Sequence, residues 1–401
     1  MRTLKLLSVF LISINFSFGA ANKTLLKSGF NAIEAKEMIQ LCNSYTYIEL
    51  YGSDEGIIPK GYVKIYTSPV VGMDNVFQIY IRGKIGVINF RGSTDKKSSW
   101  LENIHSSIIP AEGEIETTGG LFEYKFSENS SAGVHSGFAL GLAYLEKDIL
   151  TQIRLLNDKG IYNIILTGHS QGGSLAILTR SHLAHLGGRR ISKKNSFKVY
   201  AFAQPMVGNQ EFVIEYDRNF TEEGMSFSIV NLNDMVPEMP LSFNDSTYWR
   251  SNLGDLLSRD RKLNTTKMIK DGLSTIFKGG VTGVVAGYGR SVDKQIEKQL
   301  GKIKLPIPMR EINYSKVGNV ISIPPPEYPL ELKDSSWLNN EAFLRDNPRD
   351  SDGVFENRSL YKKATIAQNH KPYNYYTAIL KKYFPEDYDV IEPKLFVEEE
   401  K

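Results

Sequence analysis

The sequence predicts an α/β fold in which a mainly parallel sheet is covered by helices. Three observations carry that expectation. Short apolar runs alternate with longer segments whose apolar residues recur at helical spacing, as in repeated strand–helix–strand units. One such run, Ile164 to Leu166, leads directly into Gly168-His169-Ser170-Gln171-Gly172. This G-x-S-x-G holds a serine on a sharp strand-to-helix turn, with Oγ pushed clear of the backbone. The glycines are required because a Cβ at either position would crowd the turn. Finally, 401 residues with 41% hydrophobic and 23% charged side chains describe a globular chain of one large domain or two ordinary ones.

Charge and cysteine content narrow the options. A formal charge of +3 is too small to call for nucleic acid as a partner. Cys42 is the single cysteine, so no intramolecular disulfide can form. It lies among apolar residues in a predicted helix and reads as a buried, inert thiol.

Residues 1–20 read as a secretory signal peptide. Arg2 and Lys5 make a basic start, Leu6 to Phe18 is an apolar stretch too short to span a bilayer, and small residues follow. The expected mature protein is secreted, extracellular or periplasmic, with no transmembrane helix.

Along the chain, Asn31 caps a first helix to Tyr45, and Glu34 completes a capping-box pattern. Ala35, Met38, Ile39 and Cys42 share its apolar face. Strands are expected at Gly61–Tyr66, Val76–Ile81 and Ile85–Phe90, the last two joined by a hairpin turn at Arg82-Gly83-Lys84. After Phe90-Arg91-Gly92-Ser93, a short helix would place Trp100, Leu101 and Ile104 on one side and Lys96, Lys97 and Glu102 on the other. Glu112 to Ala132 reads as loop and hairpin. A long helix to Asn157 follows Val134-His135-Ser136-Gly137-Phe138. Its buried stripe is Phe138, Leu142, Leu145, Ile149, Ile153 and Leu156. Strands recur at Lys198–Phe202, Ser226–Asn231 and Val320–Ile323. Residues 245–308 have a different character, with apolar residues at helical spacing on both sides of a glycine-rich stretch. They read as an inserted helical hairpin, either a cap or packed on the sheet. The sheet domain is then 21–244 and 309–401. Residues 333–358 are polar and turn-rich, and a helix at Tyr373–Tyr383 closes the fold.

A serine hydroxyl is a poor nucleophile until a base takes its proton. Of six histidines, His169 lies inside the elbow, with its side chain expected to point away from the nucleophile. His182 and His185, at i and i+3, have no third metal ligand near them and read as packing or surface residues. His105 belongs to the short helix after Ser93, and His135 is expected to pack or bond backbone. In sheet hydrolases the chain order is Ser, then Asp or Glu, then His, and only His370 satisfies it. Asp234 follows the Ser226–Asn231 strand, pinned by Pro237. It fits the acid that orients the imidazole better than Asp217 or Asp245, which lack so clear a strand before them.

Six motifs occur in order: Phe90-Arg-Gly-Ser93, Val134-His-Ser-Gly-Phe138, Gly168-His-Ser-Gln-Gly-Gly173, Gln204-Pro-Met-Val-Gly-Asn209, Asn233-Asp-Met-Val-Pro237 and His370. Together they resemble the class 3, fungal-type lipases of the α/β-hydrolase superfamily. The resemblance covers about residues 77 to 240 and 312 to 378, and more weakly the helix near Cys42. It implies Ser170 as nucleophile, Asp234 as acid and His370 as base. It places Ser93 and the Gln171 N–H in the oxyanion hole, and a candidate lid at about Asp95 to Ser107, with Trp100, Leu101 and Ile104 as its apolar side. The implied activity is hydrolysis of acylglycerol esters, with phospholipase A1 or a short-chain or aromatic esterase as the alternative. A non-catalytic lipid-binding homologue is a remoter one. The partner is a lipid or ester substrate at a lipid–water interface, and neither metal nor organic cofactor is called for. Residues 245–308 depart from the family, whose members have a much shorter link there.

Overall fold

The computed structural model describes residues 26–94, 96, 99, 102–103, 105–188, 190–240, 296–310, 313–362 and 366–395. The expected signal peptide at 1–20, most of the 245–308 insertion, and the candidate lid residues Trp100, Leu101 and Ile104 lie outside the described residues.

Helix α1 (Ala32–Tyr51) starts where the Asn31 side chain accepts from the N–H groups of Ile33 and Glu34. It stops at Gly52, whose φ of 72° lies in the left-handed region that favours glycine. The capping box is only half formed. Glu34 does not turn back on the helix start. Its Oε2 accepts from Lys198 Nζ and from Tyr200 OH, each at 2.7 Å. Lys198 is fully buried, and an ammonium without water requires a carboxylate, so this long-range pairing outcompetes the local cap.

Strands β1 (Val63–Thr67), β2 (Phe77–Arg82) and β3 (Ile85–Phe90) form an antiparallel edge, with Gly83 at φ 58° in the β2–β3 turn. Two small ribbons follow. In one, β4 (Ile108–Pro110) pairs with β7 (Gly133–His135). In the other, β5 (Glu112–Thr117) pairs with β6 (Gly120–Lys125). Helix α2 (Ser136–Asp158) buries all six residues of its expected stripe. At about 1.5–3 kcal/mol per large apolar side chain, that face alone anchors the helix. Strand β8 (Asn163–His169), helix α3 (Gln171–His185), strand β9 (Ser196–Phe202), helix α4 (Gln210–Tyr216) and strand β10 (Ser226–Asn231) complete the alternation. After the insertion come β11 (Asn319–Ile323), α5 (Glu341–Asp346), α6 (Ile366–Asn369) and α7 (Pro372–Tyr383). A further helix, α8 (Pro385–Val390), follows the one expected to close the fold. Pro385 at its first position supplies a preset φ where no backbone donor is needed.

The main sheet runs β1-β2-β3-β8-β9-β10-β11, and every pair from β3 to β11 is parallel. The expected mainly parallel sheet with covering helices is therefore present. Its strands alternate between two cores. Ile88, Ile164, Leu166 and Val199 face α2 and α3, while Val87, Ile165, Tyr200 and Phe227 face α1 and α7. Cys42 belongs to the second core, and burial pushes its thiol up to about 12, as befits an inert residue. The described end of residues 245–308 joins the first core. Ile296 is buried there, and Lys304 exchanges backbone hydrogen bonds with Glu116 of β5. Among the described residues no helix is long and apolar enough to cross a membrane.

Candidate active site

The site forms at the carboxyl ends of the parallel strands. Phe90 at the end of β3 is in register with Gly168 near the end of β8, and Phe202 of β9 with His169. The loops leaving β3, β8 and β10 therefore converge on one crevice.

At the elbow, Ser170 has φ 58° and ψ −131°. A non-glycine residue there costs about 1–3 kcal/mol and persists only where its surroundings dictate it. Those surroundings are visible. Ser170 N donates to Phe202 O at 2.8 Å. A Cβ on Gly168 would overlap the Gly172 backbone, and one on Gly172 would overlap the carbonyl of Phe90. The two glycines thus let strand, turn and helix close on one another while holding the serine proud. Gln171 is the first residue of α3, so its N–H precedes the first intrahelical bond and sits at the positive end of the helix dipole.

Three side chains separated widely in sequence meet here. Ser170 Oγ lies 2.8 Å from His370 Nε2, and His370 Nδ1 lies 2.7 Å from Asp234 Oδ2. With a carboxylate on Nδ1, that nitrogen carries the proton and Nε2 is left to accept from the serine hydroxyl. Asp234 is buried in the turn after β10. Its N–H donates to Asn231 O at 3.0 Å, and its Oδ1 accepts from Val236 N at 3.0 Å. His370 stands between α6 and α7, where Pro372 begins the last long helix.

Two further residues hold this arrangement and were not singled out from sequence. Tyr375 OH donates to Asp234 Oδ2 at 2.7 Å and accepts from Asn231 N at 3.1 Å. Asn231 Nδ2 donates to Asn369 O at 3.1 Å, tying the turn of Asp234 to the residue before His370. The ring of His169 lies 4.6 Å from that of His370 and 5.4 Å from that of Tyr375. It packs behind the His370 ring. Burial holds the His169 imidazole well below its ordinary value, so it stays neutral beside His370.

Ser93 arrives on the loop after β3. A Cβ on Gly92 would sit 3.4 Å from Ser170 Cβ, so this loop rides against the elbow. Ser93 Oγ donates to Gln171 Oε1 at 2.9 Å and accepts from Asn103 Nδ2 at 2.7 Å. Gln171 Nε2 donates to Asn75 Oδ1 at 3.1 Å. Glu102, expected on a solvent face, is fully buried. Its Oε2 accepts from Asn75 Nδ2 at 2.7 Å. Burial pushes its carboxyl up to about 8, so at neutral pH it is a protonated acid, which is how a carboxyl remains out of water.

The remaining histidines serve packing. His105 lies just beyond the helical turn expected to hold it, with Nδ1 2.7 Å from Ser136 Oγ. His135 accepts from Phe138 N at the start of α2 and stacks on the Phe138 ring at 3.9 Å. His182 packs against Phe122 and Phe126, and His185 Nδ1 donates to Ser181 O at 2.8 Å. Among the described residues no group of three or more His, Cys, Asp or Glu side chains is arranged to hold a metal ion.

A cavity of about 160 Å³ opens beside Asp234, between the ends of β9, β10 and β11. Gln204, Met206, Ser228 and Val317 are among the residues that line it.

Residues 87–244 match the family model of class 3 lipases. Over 174 residues the chain is 34% identical to a chloroplastic phospholipase A1 of Arabidopsis thaliana, covering 40% of this chain and 34% of that protein. It is 29% identical over 204 residues to a triacylglycerol lipase of the same plant, covering 45% and 38%. The chain thus spans little more than a third of the length of these relatives. Among solved structures, a Rhizomucor miehei lipase in complex with its propeptide aligns at 20% identity and a TM-score of 0.40, over 54% of this chain and 66% of that one. With the elbow at the β8–α3 junction of a mainly parallel sheet and the family match across it, the fold is that of the α/β-hydrolases.

Proposed function

We propose that this chain, whose residues 87–244 match the family model of class 3 lipases, hydrolyses carboxylic esters of lipids through an acyl-enzyme on Ser170. The observation that carries this reading is the continuous contact from Ser170 Oγ through His370 to Asp234, at 2.8 and 2.7 Å.

In this mechanism Ser170 Oγ attacks the ester carbonyl as His370 Nε2 takes its proton. Asp234 keeps the imidazole in the competent tautomer and stabilises the imidazolium. The oxyanion accepts from the Gln171 N–H and from the Ser93 hydroxyl, which turns from Gln171 Oε1 towards it. The alcohol leaves with the proton from Nε2. Water then attacks the acyl-enzyme by the same route and releases the acid. Triacylglycerols are the substrate class we favour, and the relative named as a phospholipase A1 supports glycerophospholipids as the second reading. The basic and apolar pattern of residues 1–20 supports secretion. The burial of Ile296 supports a 245–308 segment that packs on the sheet domain.

Purified protein and Ser170→Ala, assayed on p-nitrophenyl esters of graded chain length, on emulsified triacylglycerol and on phosphatidylcholine, test the reading. The expected result is hydrolysis lowered about 10³-fold or more in the variant, with long acyl chains preferred. Equal rates for the two proteins would refute it. A short-chain optimum without response to emulsion would make it an esterase.

A further inference from the structure

Glu102 is an acidic side chain in a place that solvent does not reach, and the mechanism above does not use it. Its Oε2 accepts from Asn75 Nδ2 at 2.7 Å, and Asn75 Oδ1 accepts from Gln171 Nε2 at 3.1 Å. Gln171 Oε1 in turn accepts from Ser93 Oγ at 2.9 Å and faces Ser99 Oγ at 3.4 Å. One chain of hydrogen bonds therefore runs from Glu102 to both residues read as oxyanion donors. The fit around Glu102 is specific. A Cβ on Gly141 of α2 would overlap its Oε1, and a Cβ on Gly137 would overlap its carbonyl oxygen. Helix α2 is notched to receive this residue. Among the described residues its Oε1 has no hydrogen-bond partner. A protonated carboxyl tolerates that vacancy and a carboxylate does not.

We propose that Glu102 is a positioning residue for the oxyanion hole: its buried carboxyl, acting through the Asn75 amide, fixes the Gln171 side chain and with it the place of the Ser93 oxygen, whose proton remains free to turn to the substrate. The proposal rests on the hydrolase reading above and deepens it. Asn75 donates through Nδ2 to Glu102 and offers Oδ1 to Gln171 Nε2, which turns the Gln171 oxygen towards Ser93. When the carboxyl ionises, both amides are drawn to the new charge, and Gln171 no longer presents its oxygen to Ser93.

The charged and titratable groups around Glu102 permit this behaviour. Asp74, in the loop before Asn75, is anionic. Burial pushes its carboxyl up, but hydrogen bonds from Lys96 and Thr94 and the charge of Arg91 bring it below its ordinary value. Arg91 and Lys96 are thereby engaged with Asp74, at 3.0 and 2.7 Å. His135, at the start of α2, is held neutral, pushed down to about 3 by burial. His105, on Glu102's own segment, is bonded to Ser136. Arg91 and Lys96 are thus committed to Asp74, and the neutral His135 brings no cation to a Glu102 carboxylate.

The test compares wild type, Glu102→Gln, Glu102→Leu and Ser170→Ala on a soluble ester, p-nitrophenyl butyrate, from about pH 6 to about pH 10. Wild-type kcat is expected to fall as the pH passes about 8, while Glu102→Gln, which cannot ionise, holds its rate there. At pH 7 Glu102→Gln should stay within about twofold of wild type, and Glu102→Leu should lose about 10-fold to 100-fold in kcat with little change in KM. The same alkaline limb in wild type and Glu102→Gln would overturn the proposal, as would an unaltered kcat in Glu102→Leu. If Glu102→Leu shows no cooperative melt, the Glu102→Gln profile decides alone. Ser170-independent hydrolysis in wild type would remove the hydrolase reading and this inference with it. A normal Ser170-dependent rate with no effect at residue 102 would remove only the inference.

Discussion

Tyr375 OH and His370 Nδ1 both lie 2.7 Å from the same atom, Oδ2 of Asp234. Asp234 is therefore clamped by two donors, one just before α7 and one within it. Tyr375→Phe removes one donor and leaves Asn231 N–H without its acceptor. Such an orphaned buried group costs about 1–3 kcal/mol. The expected outcome is a lower melting temperature and a kcat reduced about 10-fold, because Asp234 keeps its bond to His370. Unchanged kcat and melting would show that Tyr375 merely fills space.

The fully buried Lys198 makes a second prediction. Its Nζ donates to Glu34 Oε2 at 2.7 Å and to Lys27 O at 2.8 Å. Lys198→Met strands the Glu34 carboxylate, and such broken pairs typically cost about 3–5 kcal/mol. The double variant with Glu34→Gln should recover part of that loss in urea unfolding. Additive losses would mean that the two residues are not coupled.

Glu102 also ties stability to pH. Folded protein keeps the proton of this carboxyl up to about pH 8, whereas the unfolded chain releases it near the ordinary value of 4.5. Between those limits the native state binds more protons than the unfolded one. Its contribution is therefore fully present at acid pH and is lost as the pH rises through that window. Glu102→Gln has no such dependence. The stability of wild type relative to this variant should fall steadily from pH 5 to pH 8 in denaturant titrations. A constant difference would contradict the buried acid.

Cys42 provides a simpler check. Its thiol is buried and pushed up to about 12 by that burial. Iodoacetamide at pH 8 should leave the folded protein unlabelled and modify one site after unfolding, as read by intact mass. Rapid labelling of the native state would contradict its place in the core between α1 and the sheet.

Much of this molecule is legible in its sequence, because the decisive signals are local. The bounds of β3 and β10, the stripe of α2 and the glycines of the elbow each follow from neighbouring residues alone. What escapes is set by partners far along the chain. Glu34 looks like a cap until Lys198, 164 residues away, claims its carboxylate. Glu102 looks solvent-facing because its protonation depends on burial against α2, which periodicity does not encode. Tyr375 looks like an ordinary core residue of a helix. Only the folded arrangement puts its hydroxyl on Asp234, 141 residues earlier. The ring that His169 meets escapes sequence reading for the same reason, since it belongs to a helix boundary 201 residues on, at His370.

The packing of α7 against α1 in one core has a consequence for when, and not only how, the protein works. Ser170 and its elbow emerge from the ribosome 200 residues before His370. The helix that begins beside His370 shares its core with α1, so its seat on the sheet is complete only when α1 is in place as well. A nascent or clipped chain can thus present a formed nucleophile turn and still be inert towards esters. If the proposed hydrolysis needs both helices docked, activity in refolding experiments should return after the bulk of the helical signal, in step with burial of α7.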